Sequence, residues 1–563
     1  MADQVETSDD RHLTVYLAKK ILTMEKDLPE ATAVGVIDGR IAGVGSLDDL
    51  KPWMDQYPHT VDRSLADKIL MPGFIDPHVH PFIPAVLTQM PFVAPDTWHL
   101  PAGDFPGVIG HDEYVAQVRE LLSAHDASQV PFFTWGFHEM FHGRVDREVI
   151  DEEISRDQPV FIWHRSFHDI ITNSAGLKLL GMTSSDDIPE LARDGVDLAT
   201  GKFSESGLSA IFPKIQPYFF SAERLTAGFG AFAQMVHRGG VTMVADMGTG
   251  IMAPMGVEAA AIRMAFERDG VPFRTQLTPI ETSFASEGQT PDQALSAVRE
   301  EIDKGGYRVF MAEHFKLMVD GAFFSQGFQL CEPGYVDGHE GAWVLPPETT
   351  TSFAQAFWKA GFTLHAHCNG DGGAQYTLGL LNQLLDDHPR FDHRFAFEHF
   401  GYSTEEQNRR LADLGAVVSG QPWYIHMLGD KYAESGMGVD RAHQMCRFGS
   451  IVDKGVPLAL HSDCTMAPLE PLRLAWAAGT RQTVGGNVIG ESQRLSLDAA
   501  LRAITIEAAW VLRAEDSVGT IRTGKRADFV VLEADPYEVG LEGLPDIEIW
   551  GTVFAGELTP IQR

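Results

Sequence analysis

Five short stretches end in side chains able to bind a cation or move a proton. They are "FIDPHVH" with Asp76, His78 and His80, "FKLMVD" with Lys316 and Asp320, "FTLHAHC" with His365 and His367, "RFAFEHF" with Glu398 and His399, and "VPLALHSD" with His461 and Asp463. Side chains along a strand alternate faces, so His78 and His80 project to the same side. Two neutral imidazoles placed in this way bind one divalent cation. Taken alone, the HxH pair reads equally well as two hydrogen-bonded structural histidines. Five such ends in chain order are hard to explain as core decoration, and Lys316 in an apolar run is costly to bury without a partner. The set reads as a metal site.

The elements that must position these residues are apolar runs separated by amphipathic ones. Besides the five, "VTMVADMG", "FRTQLTPI" and "AVVSGQP" read as strands, while "AFAQMVHRG", "DQALSAVREEIDKG" and "EEQNRRLADLG" carry a helical pattern. Eight apolar strands alternating with helices predict an α/β fold, a (β/α)8 TIM-type barrel with its catalytic residues at the C-terminal strand ends. The gap from Phe82 to Gly240 is too long for one helix and predicts an insert subdomain after the first barrel strand, over about 85–235. Both chain ends are strand-rich: "LTVYLAKKILTM" and "ATAVGVIDGRIAGVG", with Asp38-Gly39 as a hairpin turn, and "IEIWGTVFAGEL" far downstream. They predict a small composite β-sandwich domain of residues 1–70 and 515–563, with the barrel at 71–514 between its halves.

Composition narrows the partners. The 563 residues are 44% hydrophobic and 22% charged, as in an ordinary globular protein. With 44 basic and 78 acidic residues the formal charge is −34, which argues against nucleic acid or an anionic membrane surface as a partner. No run approaches the roughly 18 to 20 apolar residues of a membrane span, and the start shows no secretory signal pattern. Cys331, Cys368, Cys446 and Cys464 form no CxxC pair. A reduced, cytoplasmic setting is expected. Neither a GxSxG elbow nor a Walker-type loop is present. The expected partner is a small-molecule substrate, and the expected assembly a homodimer.

In their order, "PGFIDPHVH", "KLMVDG", "HCNGD", "FEHF" and "HSD" resemble the amidohydrolase superfamily, and more narrowly its YtcJ-like branch, amidohydrolase family 3. "HDIITNSAGL", with His168 and Asn173-Ser174, and "TGKFSESG" resemble that branch too, and "VGTIRTGKRADFVVLEADP" is similar to the family's return into its β-sandwich. The resemblance implies that His78 and His80 hold the more buried of one or two divalent ions, zinc above others. It implies that Lys316 is N6-carboxylated, a carbamate formed with carbon dioxide and able to bridge two metals. It makes His367, His399 and Asp463 the ligands of strands five, six and eight, with Asp463 also the general base and acid. The alternatives are an ion pair of Lys316 with Asp320 or Asp246, and His365 in place of His367. His168 is a candidate substrate contact or a helix-capping residue. Aromatics near strand ends, among them Phe323, Phe324, Trp423 and Tyr424, suggest an apolar pocket, with Phe323 and Trp423 as candidate substrate contacts.

The function expected is metal-dependent hydrolysis of an amide or other non-peptide C–N bond in a small, hydrophobic or aromatic compound. The same site would serve deamination, decarboxylation or C–C cleavage, and a non-catalytic binding protein is the third reading.

Overall fold

The structure is a computed structural model that describes residues 11–126 and 131–562. Eight strands in chain order make the barrel: β1 (Phe74–Val79), β2 (Val241–Thr249), β3 (Arg274–Pro279), β4 (His314–Met318), β5 (Thr363–Cys368), β6 (Ala396–His399), β7 (Val417–Gly420) and β8 (Leu458–Leu460). Each pairs in parallel with the next from β1 to β3 and from β4 to β8. Between β3 and β4 the wall is irregular. A short strand, Val309–Met311, pairs with β3, and a single parallel bridge joins Ile280 to Lys316. The seam between β8 and β1 is closed at its C-terminal end, where the Asp463 amide donates to the His78 carbonyl at 3.0 Å. Beside it the Ser462 amide donates to both oxygens of Asp76 at 3.2 Å.

Strand alternation sorts the residues by face. Leu277, Phe315, Leu317, Leu364 and Phe397 turn outward into the apolar layer shared with the helices. Their neighbours Gln276, Lys316 and His365 therefore turn toward the barrel axis. The helices start where polar caps hold them: Thr290 with Gln293 and Thr404 with Gln407 form capping boxes on helices Pro291–Ile302 and Glu405–Asp413.

The chain ends meet in one sheet of eight strands. Phe529–Leu532 pairs antiparallel with Ile69–Pro72, which pairs with Leu13–Leu22. Leu13–Leu22 breaks register between Leu17 and Ile21, so its first half takes His59–Asp62 as partner and its second half Ile69–Pro72. Tyr16, Val34 and Val36 then share one core with Leu70, Phe529 and Val553. The two layers expected of a sandwich are thus arms of a single hydrogen-bonded sheet, because one long bulged strand belongs to both. Asp38 and Gly39 have φ of 51° and 71°, as a two-residue hairpin turn requires. The passage from this sheet into β1 is tight. A Cβ at Gly73 would lie 2.1 Å from the Thr242 hydroxyl.

The segment between β1 and β2 carries a five-stranded mixed sheet in the order Val196–Asp197, Lys202–Ser204, Asp169–Thr172, Val160–His164 and Phe132–Phe137. Arg165 fastens it to the barrel. Its guanidinium donates to the carbonyls of Thr465 and Met466 at 2.5 and 3.1 Å and to Asp96 at 3.2 Å, and it stacks 4.7 Å from the Trp98 ring. No helix among the described residues is long and apolar enough to cross a membrane.

Candidate metal centre

The C-terminal ends of the strands surround a narrow cavity of about 70 Å³. His78 from β1, His80 just after it, Lys316 from β4, His367 from β5, His399 from β6 and Asp463 after β8 all line it. Two groups of three bring their ligand atoms within 4.8 Å of one another: His78, His80 and Asp463, and His78, His399 and His461. His78 belongs to both. Asp463 Oδ1 lies 3.2 Å from His80 Nε2 and 3.7 Å from His78 Nε2, and its Oδ2 lies 3.6 Å from His399 Nδ1.

A buried carboxylate sets the tautomer of His78. Glu398 accepts from His78 Nδ1–H at 2.7 Å and from His365 Nδ1–H at 2.6 Å. Burial opposes its charge, but Lys316, His365 and His461 outweigh that and bring its pKa down to about 2. With Nδ1 protonated, His78 Nε2 carries its lone pair into the cavity, as a metal ligand must. His365 passes the chain on, its Nε2 lying 2.8 Å from His314 Nδ1. Both nitrogens of His365 are therefore engaged, and the cavity-facing histidine of β5 is His367. His367 lies outside both triads, its Nε2 2.9 Å from the Asn369 amide nitrogen.

Burial holds His78, His367, His399 and His461 neutral. Burial lowers the pKa of His461 to about 4, burial and Lys316 lower that of His367 to about 3, and burial with the neighbouring His367 and His78 holds His399 well below the usual imidazole value. His80 Nδ1, His399 Nδ1 and both nitrogens of His461 are buried without a hydrogen-bond partner. Buried polar atoms are rarely left so. Neutral imidazole nitrogens and a carboxylate converging on one small space are a donor set suited to a divalent cation such as zinc. The residues present therefore fit a metal.

Lys316 is buried and its Nζ has no partner; neither Asp320 nor Asp246 pairs with it among the described residues. Asp320 is instead taken up by the amides of Asn369, Gly370 and Gln329. Burial lowers the Lys316 pKa to about 8, against the pull of Glu398 and Asp463. The backbone takes positive φ here as well: His399, Phe400 and Asp463 have φ of 69°, 52° and 50°, a region L-residues seldom enter. Gly248 leaves room for the His80 ring, since a Cβ there would meet it at 2.8 Å.

The remaining wall is mostly apolar. Phe323 lines it, stacked on Tyr424 at 4.4 Å, and Phe324, Met318 and Met466 line it too. The insert supplies Ser166, Phe167 and His168. The HxxxxNS stretch divides its work: His168 reaches the cavity, while Asn173 accepts from the Gly176 amide and caps helix Ser174–Leu180. Trp423 does not line the cavity, contrary to expectation. The chain turns into helix Trp423–Lys431 there, and successive helical side chains diverge by about 100°. Tyr424 consequently faces the metal ligands, while Trp423 donates to Asp96 at 3.3 Å. His461 was legible only as one more ionisable strand end. Its stacking on His78, ring centres 4.5 Å apart, is what admits it to the site.

Comparison with known proteins agrees with this geometry. The model of the amidohydrolase family matches residues 141–560. The chain is 27% identical over 532 residues to Protein LONG AFTER FAR-RED 3 of Arabidopsis thaliana, covering 92% of this chain and 86% of that one. It is 25% identical to the N-substituted formamide deformylase of Arthrobacter pascens, over 94% of both chains, and 25% identical to the putative amidohydrolase YtcJ of Bacillus subtilis, over 96% and 97%. A metal-dependent hydrolase of Pyrococcus horikoshii shares the fold, with a TM-score of 0.71 at 20% identity over 94% of this chain and 99% of that one. A family match across most of the chain, on a barrel whose strand ends converge in this way, places the protein in the amidohydrolase family, in its YtcJ-like branch, as a hydrolase of carbon–nitrogen bonds.

Proposed function

We propose that the protein hydrolyses the C–N bond of a small, uncharged amide carrying an apolar or aromatic group, with a divalent cation, zinc first among them, held by His78, His80, His367, His399, His461 and Asp463. The observation that carries this reading is the pair of triads sharing His78, with their buried, unpartnered imidazole nitrogens. When bound, such an ion supplies a Lewis acid for the carbonyl and lowers the pKa of a water toward neutrality.

The chain's own residues do the rest. Burial raises the Asp463 pKa, but the hydrogen bond and charge of His80, with His461 and Lys316, outweigh it, so the group is lowered overall and ionised. Its carboxylate takes the proton of the attacking water and returns it to the leaving nitrogen. Glu398 keeps His78 in one tautomer throughout. Lys316, a buried amine with a pKa of about 8, adds carbon dioxide at Nζ with loss of one proton, and the resulting carbamate offers oxygens to the site. Elemental analysis checks this: Lys316→Ala lowers the bound metal, and unchanged stoichiometry sinks the carbamate role.

The wall argues for the substrate. Away from the proposed ligands, Lys316 and His168, the lining side chains are uncharged, which suits an uncharged substituent. Phe323, Phe324 and Tyr424 suit an apolar or aromatic amine, and the narrow space suits a short acyl group such as formyl. The likeness to the formamide deformylase supports the same class. A screen of N-substituted formamides, longer N-acyl amines and cyclic amides against metal-loaded enzyme tests it. Release of formate or another carboxylate with the free amine is expected. Turnover confined to compounds that release ammonia, carbon dioxide or an aldehyde overturns it.

A further inference from the structure

The opposite end of the barrel holds a second cavity, of about 510 Å³, between the N-terminal strand ends and the segment that returns to the terminal sheet. Alternation on β3 turns Arg274 and Gln276 toward it. His314 and Thr363 begin β4 and β5 on its wall, and Arg390, Arg513 and Arg526 complete a ring of guanidinium groups. Most of these are engaged. Arg513 donates to the Thr363 hydroxyl at 2.7 Å and to Asp392 at 3.0 Å. Arg390 donates to the carbonyls of Phe362 and Gly361 at 2.7 Å each. Arg274 pairs with Asp528 and reaches the Tyr307 hydroxyl at 3.1 Å.

What is left over is a set of donors. Arg526, half-buried, has no side-chain hydrogen bond or ion pair among the described residues, its guanidinium lying 5.4 Å from the centre of the Tyr307 ring. Arg274 Nε and Gln276 Nε2 are buried without an acceptor, in residues 3% and 2% exposed. Of the two carboxylates at the rim, Asp392 is committed to Arg394 and Arg513, and Glu313 stands exposed to water. A cationic hollow in a chain of net charge −34 is no by-product of a basic surface. Buried donors of this kind want an acceptor.

We propose that this cavity is a second binding site, for a small molecule bearing an oxyanion, carboxylate or phosphate, that Arg526 grips through its guanidinium fork while Arg274 Nε and Gln276 Nε2 complete the shell. Met243, Phe310 and Leu512 on the same wall take the apolar part of the ligand. The site owes nothing to the metal centre and stands whether or not the reaction above is correct.

Calorimetric titration of the metal-loaded enzyme with inorganic phosphate, and separately with benzoate, tests it. Phosphate also engages bound metal, so each titration is repeated on Arg526→Gln and Arg526→Lys. Saturable binding of at least one probe is expected, weakened about tenfold or more in Arg526→Gln and partly restored in Arg526→Lys. Preference for phosphate or for benzoate identifies which oxyanion the site takes. Should Arg526→Gln fail to fold by circular dichroism, Gln276→Leu gives the same reading at a residue that makes no ion pair. No saturable binding of either probe, or affinities indifferent to these substitutions, overturns the proposal.

Discussion

The two ends of the barrel are built from the same strands yet leave opposite kinds of atom unpaired. At the C-terminal end they are imidazole nitrogens of His80, His399 and His461 and a carboxylate oxygen of Asp246. At the N-terminal end they are Arg274 Nε and Gln276 Nε2, beside the half-buried Arg526 guanidinium. One end is poised for a cation and the other for an anion. Alternation supplies inward side chains at every depth of a strand, and the residue type at each depth decides what that layer does. Lys316 is the exception, an unpaired buried amine beside them. Carboxylation would remove that exception by turning a cation into an anionic ligand.

If the contrast is right, damage to the mouth costs turnover and damage to the base costs stability or anion affinity. The largest effect is expected from Asp463→Asn. On whichever amide the screen identifies, kcat falls by about 10²–10⁴-fold, with metal content and melting temperature nearly unchanged; near-normal turnover removes Asp463 from proton transfer. At the base, Asp528→Asn strands the buried Arg274 guanidinium. Denaturant melts are expected to show a loss of about 3–5 kcal/mol, while kcat of the folded fraction stays within about twofold. A matching loss of kcat would mean that the two ends are not separate.

A finer test uses Glu281, which follows the C-terminal end of β3, buried and accepting from the Met318 amide at 2.5 Å and the Thr350 hydroxyl at 3.2 Å. Burial raises its pKa to about 8, against about 4.3 in an unfolded chain. Between those values the unfolded state releases a proton that the folded state keeps, so stability falls as pH rises, by up to about 1.4 kcal/mol per unit from this group. Glu281→Gln should flatten that fall; an identical slope in the variant means that the carboxyl is ionised in the fold. The smallest effect is expected at the mouth's outer wall. Tyr424→Ala raises KM several-fold, whereas Trp423→Phe leaves it within about twofold, because only Tyr424 faces the substrate space. Equal shifts in KM would return Trp423 to the pocket.

Much of this is legible in the sequence. Eight apolar runs, the Asp38-Gly39 turn and the shared side of His78 and His80 follow from period and turn chemistry, which act within a few residues. Reading ended where neighbours in sequence stop behaving as neighbours in a strand. Alternation sends Glu398 and His399 to opposite faces, yet both serve the site, because His399 and Phe400 take positive φ and re-aim the strand end. Helix geometry separated Trp423 from Tyr424 in the same way.

The sequence by itself determined which residue types stand at each strand end, and so that one face of a barrel would gather histidines and an aspartate. Only the tertiary structure decided how those ends are staggered. It set His461 on His78 and tied Glu398 to both His78 and His365. It also bound the insert to Thr465 and Met466 through Arg165, and drew Arg274 and Arg526 around one hollow at the far end. Apart from Glu398 with His365, 33 positions apart on neighbouring strands, those pairings join residues hundreds of positions apart, where no local propensity acts and only the folded chain brings them within reach.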